Sequence, residues 1–268
     1  MSLSTPHPLA GVKAILFDTF GTLTDWEGSI TRLLEQEAEK EGSEELRKID
    51  WLEFTRRWRK GYMTRTREVA SGEPGPTHVD ELHLEILNSL LEDPAYSAVA
   101  SAWSSQEKRK ELCQLWHRLD AWPDVKAGLD ALKKREPQVL LATLSNGTLR
   151  LLIDLARHSS LPLDAHFSGD LLNSYKPNAK MYLGACDLLG FDEAARKRGE
   201  VAMCASHLFD LRAAREHGLR TIYVRRSTED VGIPEAGFAV KPYSEGGEVD
   251  LVLDGEEEGL RLLAGLLG

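Results

Sequence analysis

Short runs of apolar residues alternate along most of the chain with longer stretches in which apolar positions recur every three or four residues. The short runs are typical of strands that are buried on both faces of a sheet. They occupy residues 12–17, 139–144, 201–205, 221–224 and 249–253, with a shorter candidate at 166–168. The stretches between them predict helices at residues 125–135, 149–157, 179–189 and 208–217. This alternation predicts an α/β fold with a parallel sheet built of crossover units.

Caps and breakers refine the predicted ends of these helices. Asp124 is expected to cap the helix that begins at residue 125, and Gly218 is expected to stop the helix that ends at residue 217. The acidic run at residues 256–258 predicts the start of a further helix near the C-terminus.

Residues 26–117 differ in character from the rest of the chain. They are charged, rich in Leu, Arg and Glu, and contain no run that predicts a buried strand. A cluster of breakers at residues 72–76 (GEPGP) divides this helical stretch into two halves. We therefore predict a helical domain of residues 26–117 that is inserted after the first strand of a core domain formed by residues 1–25 and 118–268.

The composition limits which partners the protein is expected to bind and in which compartment it is expected to occur. The net charge of −10 argues against nucleic acid or an anionic membrane surface as a main partner, because both require a basic face. Three widely spaced cysteines fit a reducing compartment. The first nine residues lack a basic region followed by an apolar one, and no apolar run reaches the roughly 18 residues of a membrane span. The expected location is the cytoplasm.

Polar residues follow three of the predicted strands directly. Asp18 follows the first strand, Ser145 and Asn146 follow the second, and residues 206–210 follow the third. Ligands of parallel α/β sheets bind outside the carboxyl ends of the strands, so these residues should converge at one edge. Lys176, on a loop, could join them.

Each of these residues also has an ordinary structural explanation. Asp18 could cap the turn that follows it, and residues 145–147 could form a plain turn. Lys176 could be a solvated surface charge, and Asp210 could pair with a nearby arginine. The case for a catalytic site rests on the four together, in this order, at one predicted edge.

These groups fall within four short motifs, which are residues 17–23 (FDTFGTL), 144–147 (LSNG), 175–177 (YKP) and 206–210 (SHLFD). In this order the motifs resemble those of the haloacid dehalogenase superfamily over almost the whole chain, and most of all its L-2-haloacid dehalogenases. The resemblance implies a Rossmann-like core, with a helical cap domain at residues 26–117.

The resemblance also implies a role for each central group. Asp18 is the expected nucleophile, which divides one difficult substitution into the formation and the hydrolysis of an aspartyl ester. Thr22 would hold the Asp18 side chain, and Lys176 would neutralise it and keep its pKa low. Asp210 would position or activate the water that cleaves the ester.

Phe20 separates two branches of the superfamily. Phosphatases of this superfamily carry a second Asp two residues after the nucleophile, where it protonates the leaving alkoxide. Phe20 cannot donate a proton, whereas a halide is a very weak base and leaves without one. Phe20 therefore favours a carbon–halogen bond over a phosphate ester, and it adds an apolar wall to the expected pocket.

Other matched positions suggest substrate contacts. By resemblance, Ser145 and Asn146 hydrogen-bond the substrate carboxylate, and Tyr182 matches an active-site tyrosine by its spacing from Lys176. A cap arginine is expected to contact the carboxylate or the halide. The candidates are Arg56, Arg57, Arg59, Arg65 and Arg67. Arg59 is favoured because Trp58-Arg59 resembles a step in the family's cap helix, although the arginines could also form a solvated helix face.

The fourth motif departs from the family pattern. Typical bacterial members have Ser-Ser-Asn where this chain has Ala205, Ser206 and His207. Ser206 and His207 are both expected at the substrate. His207 could hydrogen-bond the hydrolytic water, narrow the pocket, or act as a general base that Asp210 orients.

The leading hypothesis is hydrolytic dehalogenation of small (S)-2-haloacids to 2-hydroxy acids of inverted configuration, with no metal and no cofactor. The alternative is a magnesium-dependent phosphatase that binds its metal through Asp18, the Phe20 carbonyl and Asp210. A third possibility is a non-enzymatic module that binds small anions or proteins, but such a module has no need of a neutralised nucleophile. Relatives are often dimers, so a homodimer is one expected assembly.

Overall fold

The strands of the molecule form one large sheet and one small one. The structure, a computed structural model, describes residues 7–135, 137–255 and 258–267. The expected absence of a leader and the expected helix start at 256–258 fall partly on residues 1–6 and 256–257, outside this range. In chain order the strands are β1 (Ala14–Phe17), β2 (Thr24–Asp25), β3 (Asp120–Ala121), β4 (Leu140–Leu144), β5 (Ala165–Phe167), β6 (Val201–Ala205), β7 (Arg220–Arg225) and β8 (Leu251–Asp254).

Six of these strands form a parallel sheet in the order β5-β4-β1-β6-β7-β8. Side chains of β1 alternate between two apolar clusters, with Ala14 and Leu16 in one and Ile15 and Phe17 in the other. Because both faces of the sheet are covered, the strand has no polar side, and this explains its continuous apolar run. The predicted α/β class is confirmed, and the predicted strands lie within two residues of the observed ones.

Five helices occupy the chain between β2 and β3. They are α1 (Trp26–Glu41), α2 (Trp51–Ala70), α3 (Val79–Leu90), α4 (Ser97–Ala102) and α5 (Gln106–Cys113), with 3-10 turns at Leu46–Lys48, Pro94–Tyr96 and Gln114–Arg118. Their interior is rich in large aromatic side chains, among them Trp51, Phe54 and Trp58, and it extends onto Phe20 of the core. A helical insertion after the first strand is therefore present, while the two domain boundaries, at residues 25/26 and 117/118, stay a prediction.

The two ends of the insertion are joined by a small ladder that the sequence did not predict. β2 and β3 pair antiparallel over two residues each, Thr24 with Ala121 and Asp25 with Asp120. Strands of this length are too short to produce a recognisable apolar pattern. The ladder brings both entry points of the insertion next to the first motif.

The remaining helices pack on the sheet. They are α6 (Val125–Lys133), α7 (Leu149–His158), α8 (Gly169–Leu172), α9 (Ala179–Leu188), α10 (Glu193–Lys197), α11 (Leu208–Glu216) and α12 (Leu263–Leu266), with 3-10 turns at Gly237–Ala239, Tyr243–Glu245 and Gly259–Arg261. Gly218 has a φ of 86° just after α11, as its role as a stop predicts. None of the described helices is long and apolar enough to cross a bilayer.

The predicted cap at Asp124 is wrong. Asp124 precedes α6, but its side chain makes no capping hydrogen bond to that helix. Its carboxylate instead accepts hydrogen bonds from the Arg226 guanidinium, at 2.8 and 3.1 Å, and from the Leu260 backbone N–H at 2.8 Å. Asp124 and Arg226 are both buried, so each charge requires the other, and this pairing takes precedence over the local cap.

A polar link between three side chains ties the helical insertion to the core. His117 is buried, its Nε2 lies 3.2 Å from an Asp80 oxygen on α3, and its Nδ1 lies 3.0 Å from an Asp154 oxygen on α7. Burial disfavours the charged ring, but the hydrogen bonds to the two carboxylates outweigh it and raise the pKa of His117. His117 is therefore a cation that bridges two acids.

We expect His117→Gln to destabilise the protein more at about pH 6 than at about pH 9. Because the pKa of His117 is raised on folding, its protonation stabilises the folded state. This stabilisation is fully present below the pKa of the unfolded state and is lost as the pH rises through the pKa of the folded state. The expected loss at the lower pH is about 1–2 kcal/mol, because both acids are partly exposed. Urea unfolding at the two pH values measures it, with the more exposed His158→Gln as the control. Equal losses at both pH values would contradict a charged His117.

Candidate active site

Three neighbouring strands deliver the polar residues of the motifs to one edge of the sheet. β1 is followed by Asp18, β4 by Ser145 and β6 by Ser206, and β1 lies between the other two strands. The Asp18 backbone N–H donates to the Cys204 carbonyl at 2.9 Å, which keeps the chain in register just past the end of β1. The residues that follow these three strands therefore lie together at the carboxyl edge of the sheet, as expected.

The Asp18 carboxylate is buried and bound on both oxygens. Lys176 Nζ donates to Oδ1 at 2.7 Å, and the Thr22 hydroxyl donates to Oδ2 at 2.7 Å. The Thr22 oxygen in turn accepts the Ser206 backbone N–H at 2.9 Å, which fixes the direction of its hydroxyl. Burial by itself would raise the pKa of Asp18, but the charges of Lys176 and His207 hold this pKa well below its ordinary value. Asp18 is therefore an anion at neutral pH.

Lys176 is shared between two carboxylates. Its Nζ also donates to Oδ2 of Asp210, and the Tyr182 hydroxyl donates to Oδ1 of Asp210 at 2.6 Å. Burial lowers the pKa of Lys176, but Asp18 and Asp210 outweigh burial and raise it. Burial and the nearby Asp18 charge raise the pKa of Asp210. Asp210 is thus a stronger base than an ordinary aspartate. It also binds the same ammonium group as Asp18.

Asn146 holds the lysine loop. Its Oδ1 accepts the Lys176 backbone N–H at 2.7 Å, which leaves its amide Nδ2 free to donate to a ligand. The Ser145 hydroxyl, by contrast, accepts the Gly147 backbone N–H at 3.2 Å within its own turn. Of the two neighbours, Asn146 is the one that lines the cavity at Asp18.

His207 lies between Asp18 and a residue that the sequence did not single out. Its Nδ1 is 3.3 Å from Oδ2 of Asp18, and its Nε2 is 2.7 Å from Oε2 of Glu229. Each ring nitrogen thus faces a carboxylate, and a neutral imidazole, which has one N–H, could offer a proton to only one of them. Burial lowers the pKa of His207, but its hydrogen bonds to Asp18 and Glu229 raise it to about 10.

This geometry corrects the idea that Asp210 orients His207 as a general base. Asp210 is bound to Lys176 and Tyr182, while Glu229 is the residue that binds His207. A ring with two N–H groups also has no free lone pair with which to accept a proton.

Arg59, on α2, is a buried cation without a carboxylate partner among the described residues. Its Cζ lies 5.4 Å from the ring centre of Phe20, 5.3 Å from that of Trp26 and 4.7 Å from that of Tyr62. Its Nη1 has no hydrogen-bond partner among those residues. A buried N–H of a cation rarely lacks an acceptor, so this group has the capacity to bind an anion.

The other candidate arginines have partners. Arg56 pairs with Glu27, Arg57 with Asp93 and Arg65 with Glu68, while Arg67 lies over the Phe209 ring. Arg59 is thus distinguished from the first three by its lack of a carboxylate partner among the described residues, and from the exposed Arg67 by its burial.

The cavity at Asp18 is small, with a volume of about 20 Å³. It is lined by Asp18, Phe20, Arg59, Tyr62, Met63, Thr66, Arg67, Asn146, Lys176, His207, Phe209 and Asp210. Such a volume holds about one water molecule. A cleft of about 620 Å³ adjoins it and shares Arg59, Met63, Arg67, His207 and Phe209 with it. The shared residues include Arg67, whose guanidinium lies over the Phe209 ring at 4.8 Å.

Comparison with known proteins agrees with this arrangement. The profile of the haloacid dehalogenase-like hydrolases matches residues 12–218, more than half of the chain. The chain belongs to this hydrolase family.

Similar proteins of this family have been characterised by sequence and by structure. A crystal structure of an L-2-haloacid dehalogenase is 34% identical, with a TM-score of 0.74, and the match covers 96% of this chain and 99% of that one. A defluorinating L-2-haloacid dehalogenase is 30% identical, with a TM-score of 0.79 and 98% of both chains covered. (S)-2-haloacid dehalogenase 4A of Burkholderia cepacia is 26% identical over 234 residues, covering 85% of this chain and 88% of that protein.

Three predicted binding residues of this haloacid dehalogenase-like hydrolase do not line the cavity. The Ser145 hydroxyl is bonded within its own turn, the Ser206 backbone N–H is bonded to Thr22, and the Tyr182 hydroxyl is bonded to Asp210. The buried Ser206 hydroxyl has no hydrogen-bond partner among the described residues. Direct substrate contact by Ser145, Ser206 and Tyr182 therefore stays a prediction.

Glu229 is the main residue that sequence reasoning missed in this haloacid dehalogenase-like hydrolase. It lies four residues beyond the end of β7, which is next to β6 at the same edge of the sheet. The rule that polar residues past strand ends form the site would have found it, had it been applied to the fourth strand. Trp26, which donates to Glu229 at 2.5 Å, was missed because it begins a helix of the insertion.

We expect Arg59→Met to remove anion binding without lowering stability in the absence of an anion. The buried guanidinium lacks a full set of partners, so an apolar chain of similar length should fit at no loss. Acetate or chloride at ten times its Kd should stabilise the wild type by about 1.4 kcal/mol and the variant by nothing. Thermal unfolding with increasing anion measures this, with the exposed Arg56→Met as control. An equal anion effect in Arg59→Met would exclude Arg59 as the binding group.

Proposed function

We propose that this protein hydrolyses small 2-haloacids to 2-hydroxy acids through an aspartyl ester on Asp18. The observation that carries the proposal is a buried, ionised Asp18 held by Lys176 and Thr22 beside Phe20, a residue that cannot supply a proton. The two solved relatives at 34% and 30% identity are both L-2-haloacid dehalogenases, which supports this substrate class and its S enantiomer.

In the first step Asp18 displaces the halide from the α carbon. The carboxylate is ionised and desolvated, and both properties favour attack by an oxygen anion. Phe20 lines the cavity and is itself buried, so the space next to the nucleophile is apolar on that side. Because a halide leaves without a proton, this site needs no general acid for the step.

The substrate carries a carboxylate, and two donors are free to bind it. Arg59 supplies a buried N–H without a partner, and Asn146 supplies its amide Nδ2. Arg59 binds one of the two anionic groups of the reaction, the substrate carboxylate or the departing halide. Because Arg59 belongs to α2, we also propose that the helical insertion acts as a cap that completes the site.

In the second step water cleaves the ester. Asp210 is the base for this water, because its pKa is raised by burial and by Asp18, and because Lys176 and Tyr182 fix its position. The ester then yields the 2-hydroxy acid and regenerates the Asp18 carboxylate. Attack at the α carbon from the side opposite the halide inverts its configuration.

The geometry favours this reaction over the magnesium-dependent phosphatase. The alternative requires a metal ion bound by both Asp18 and Asp210, but Lys176 Nζ already bridges these two carboxylates. A metal between the two carboxylates would have to displace a buried ammonium, so we propose that no cofactor takes part. The cytoplasmic location and the homodimer stay predictions.

The test is halide release from a panel of 2-chloro, 2-bromo and fluoro acids in the presence of EDTA, with phosphate monoesters plus magnesium in parallel. We expect halide release that survives EDTA and that falls by about four orders of magnitude or more in Asp18→Asn. Asp130→Asn, an exposed aspartate on α6, is the matched control and should keep its activity. Phosphate release that requires magnesium, without halide release, would overturn the proposal. Retained anion binding with no turnover at all would point to the binding module instead.

A further inference from the structure

The Glu229–His207 pair is an unusual feature of this site, because it places a second cation on the nucleophile itself. We propose that the His207 Nδ1–H group, held in place by Glu229, stabilises the negative charge that develops on Oδ2 of Asp18 while the ester is hydrolysed. His207 is then a catalytic residue of the second step, and Glu229 is its positioning residue. This inference rests on the proposed function, whose ester it assumes.

The hydrogen bonds of Asp18 indicate which oxygen attacks. Each carboxylate oxygen has about two acceptor sites. Oδ2 accepts the Thr22 hydroxyl at 2.7 Å and also faces the His207 Nδ1 in an ion-pair contact at 3.3 Å. Oδ1 uses one, for Lys176 at 2.7 Å. Oδ1 therefore has a free lone pair for attack on the α carbon, and Oδ2 becomes the carbonyl oxygen of the ester.

This assignment places both donors at the point where charge appears in the second step. When water adds to Cγ of Asp18, the carbonyl electron pair moves onto Oδ2, where Thr22 and His207 donate. Donors arranged in advance around such an oxyanion are among the largest sources of enzymatic rate enhancement. The 3.3 Å contact of His207 is long for a resting carboxylate and can shorten as the charge on Oδ2 grows.

The protons of this step balance without a proton from His207. Water adds its oxygen to Cγ, the electron pair returns from Oδ2, and the bond between Cγ and Oδ1 breaks. The departing oxygen of the 2-hydroxy acid takes one proton of the water, and the regenerated carboxyl group loses the other to solvent. Asp210 and Lys176, which lie on the Oδ1 side, carry these transfers, while His207 keeps both of its protons throughout.

Glu229 is held as firmly as the ring that it binds. Its Oε1 accepts the Trp26 indole N–H at 2.5 Å and the Thr228 hydroxyl at 2.8 Å, and its Oε2 faces His207. Glu229 is itself buried, so its charge is weakly screened and acts mainly on the ring. The carboxylate thus both orients Nδ1–H toward Asp18 and keeps the ring positively charged.

The experiment separates the two half-reactions in wild type, His207→Gln and Glu229→Gln. Rapid mixing with excess 2-chloropropanoate, quenched at short times, gives the first equivalent of halide, and intact-protein mass spectrometry gives the fraction of protein that carries the ester. In His207→Gln we expect the first equivalent of halide to be released at a rate within a few-fold of that of the wild type. The steady-state rate should fall by a factor of about 10²–10³, and the ester should accumulate. In Glu229→Gln the steady-state rate should also fall and the ester should also accumulate, but both changes should be smaller than in His207→Gln.

Two further variants make the result specific. His207→Asn, whose amide N–H can take the place of Nδ1–H, should recover part of the steady-state rate and show less ester than His207→Gln. Glu235→Gln, an exposed acid in the same loop region, is the matched control and should behave as wild type. Circular dichroism identifies the folded variants, and either His207→Gln or Glu229→Gln alone suffices for the comparison.

The inference is overturned if, in the folded variants, the rate of the first halide release and the steady-state rate fall by the same factor and no ester is present. It is also overturned if these variants turn over as fast as the wild type. It alone fails in these cases, because the wild type still releases halide. If the wild type releases no halide from any haloacid, the proposed function fails and the inference falls with it.

Discussion

The ammonium group of Lys176 lies between two buried carboxylates, and the arrangement of the whole site depends on it. Asp18 and Asp210 would repel each other in a low-dielectric interior, where removing each charge from water costs several kcal/mol. One shared cation allows both carboxylates to remain buried side by side. The lysine is in turn fixed through its backbone by Asn146, so that a residue of the second motif positions a residue of the third.

The helical insertion contributes to this arrangement from the opposite side. Its loop after α2 contacts the lysine loop, where the Tyr175 hydroxyl donates to the Pro76 carbonyl at 3.0 Å and Asn178 Nδ2 donates to the Ala70 carbonyl at 3.1 Å. The same insertion supplies Arg59 and Trp26. Asp18 and Lys176 therefore come from the core, while Arg59 and Trp26, which binds Glu229, come from the helical insertion. Chemistry at Asp18 depends on both parts being in contact.

Much of this architecture could be predicted from the sequence, because both faces of the sheet are covered and each buried strand appears as a continuous apolar run. The strand-end rule then located Asp18, Asn146 and Asp210 without any knowledge of their contacts. Failures arose where a tertiary partner decided the outcome. Asp124 precedes a helix but is taken by Arg226, which lies 102 residues away in the chain. One of the roles considered for His207 relied on Asp210, but the acid that binds His207 is Glu229, 22 residues further along the chain.

The small volume of the cavity at Asp18 has a consequence for the timing of the catalytic cycle. A space of about 20 Å³ holds about one water molecule, so a haloacid enters and a hydroxy acid leaves only when the side chains that line it move apart. Segment motions of this kind take place in microseconds to milliseconds. Access to Asp18 and bond breaking are then separate steps, and a rise in solvent viscosity slows the first while leaving the second unchanged.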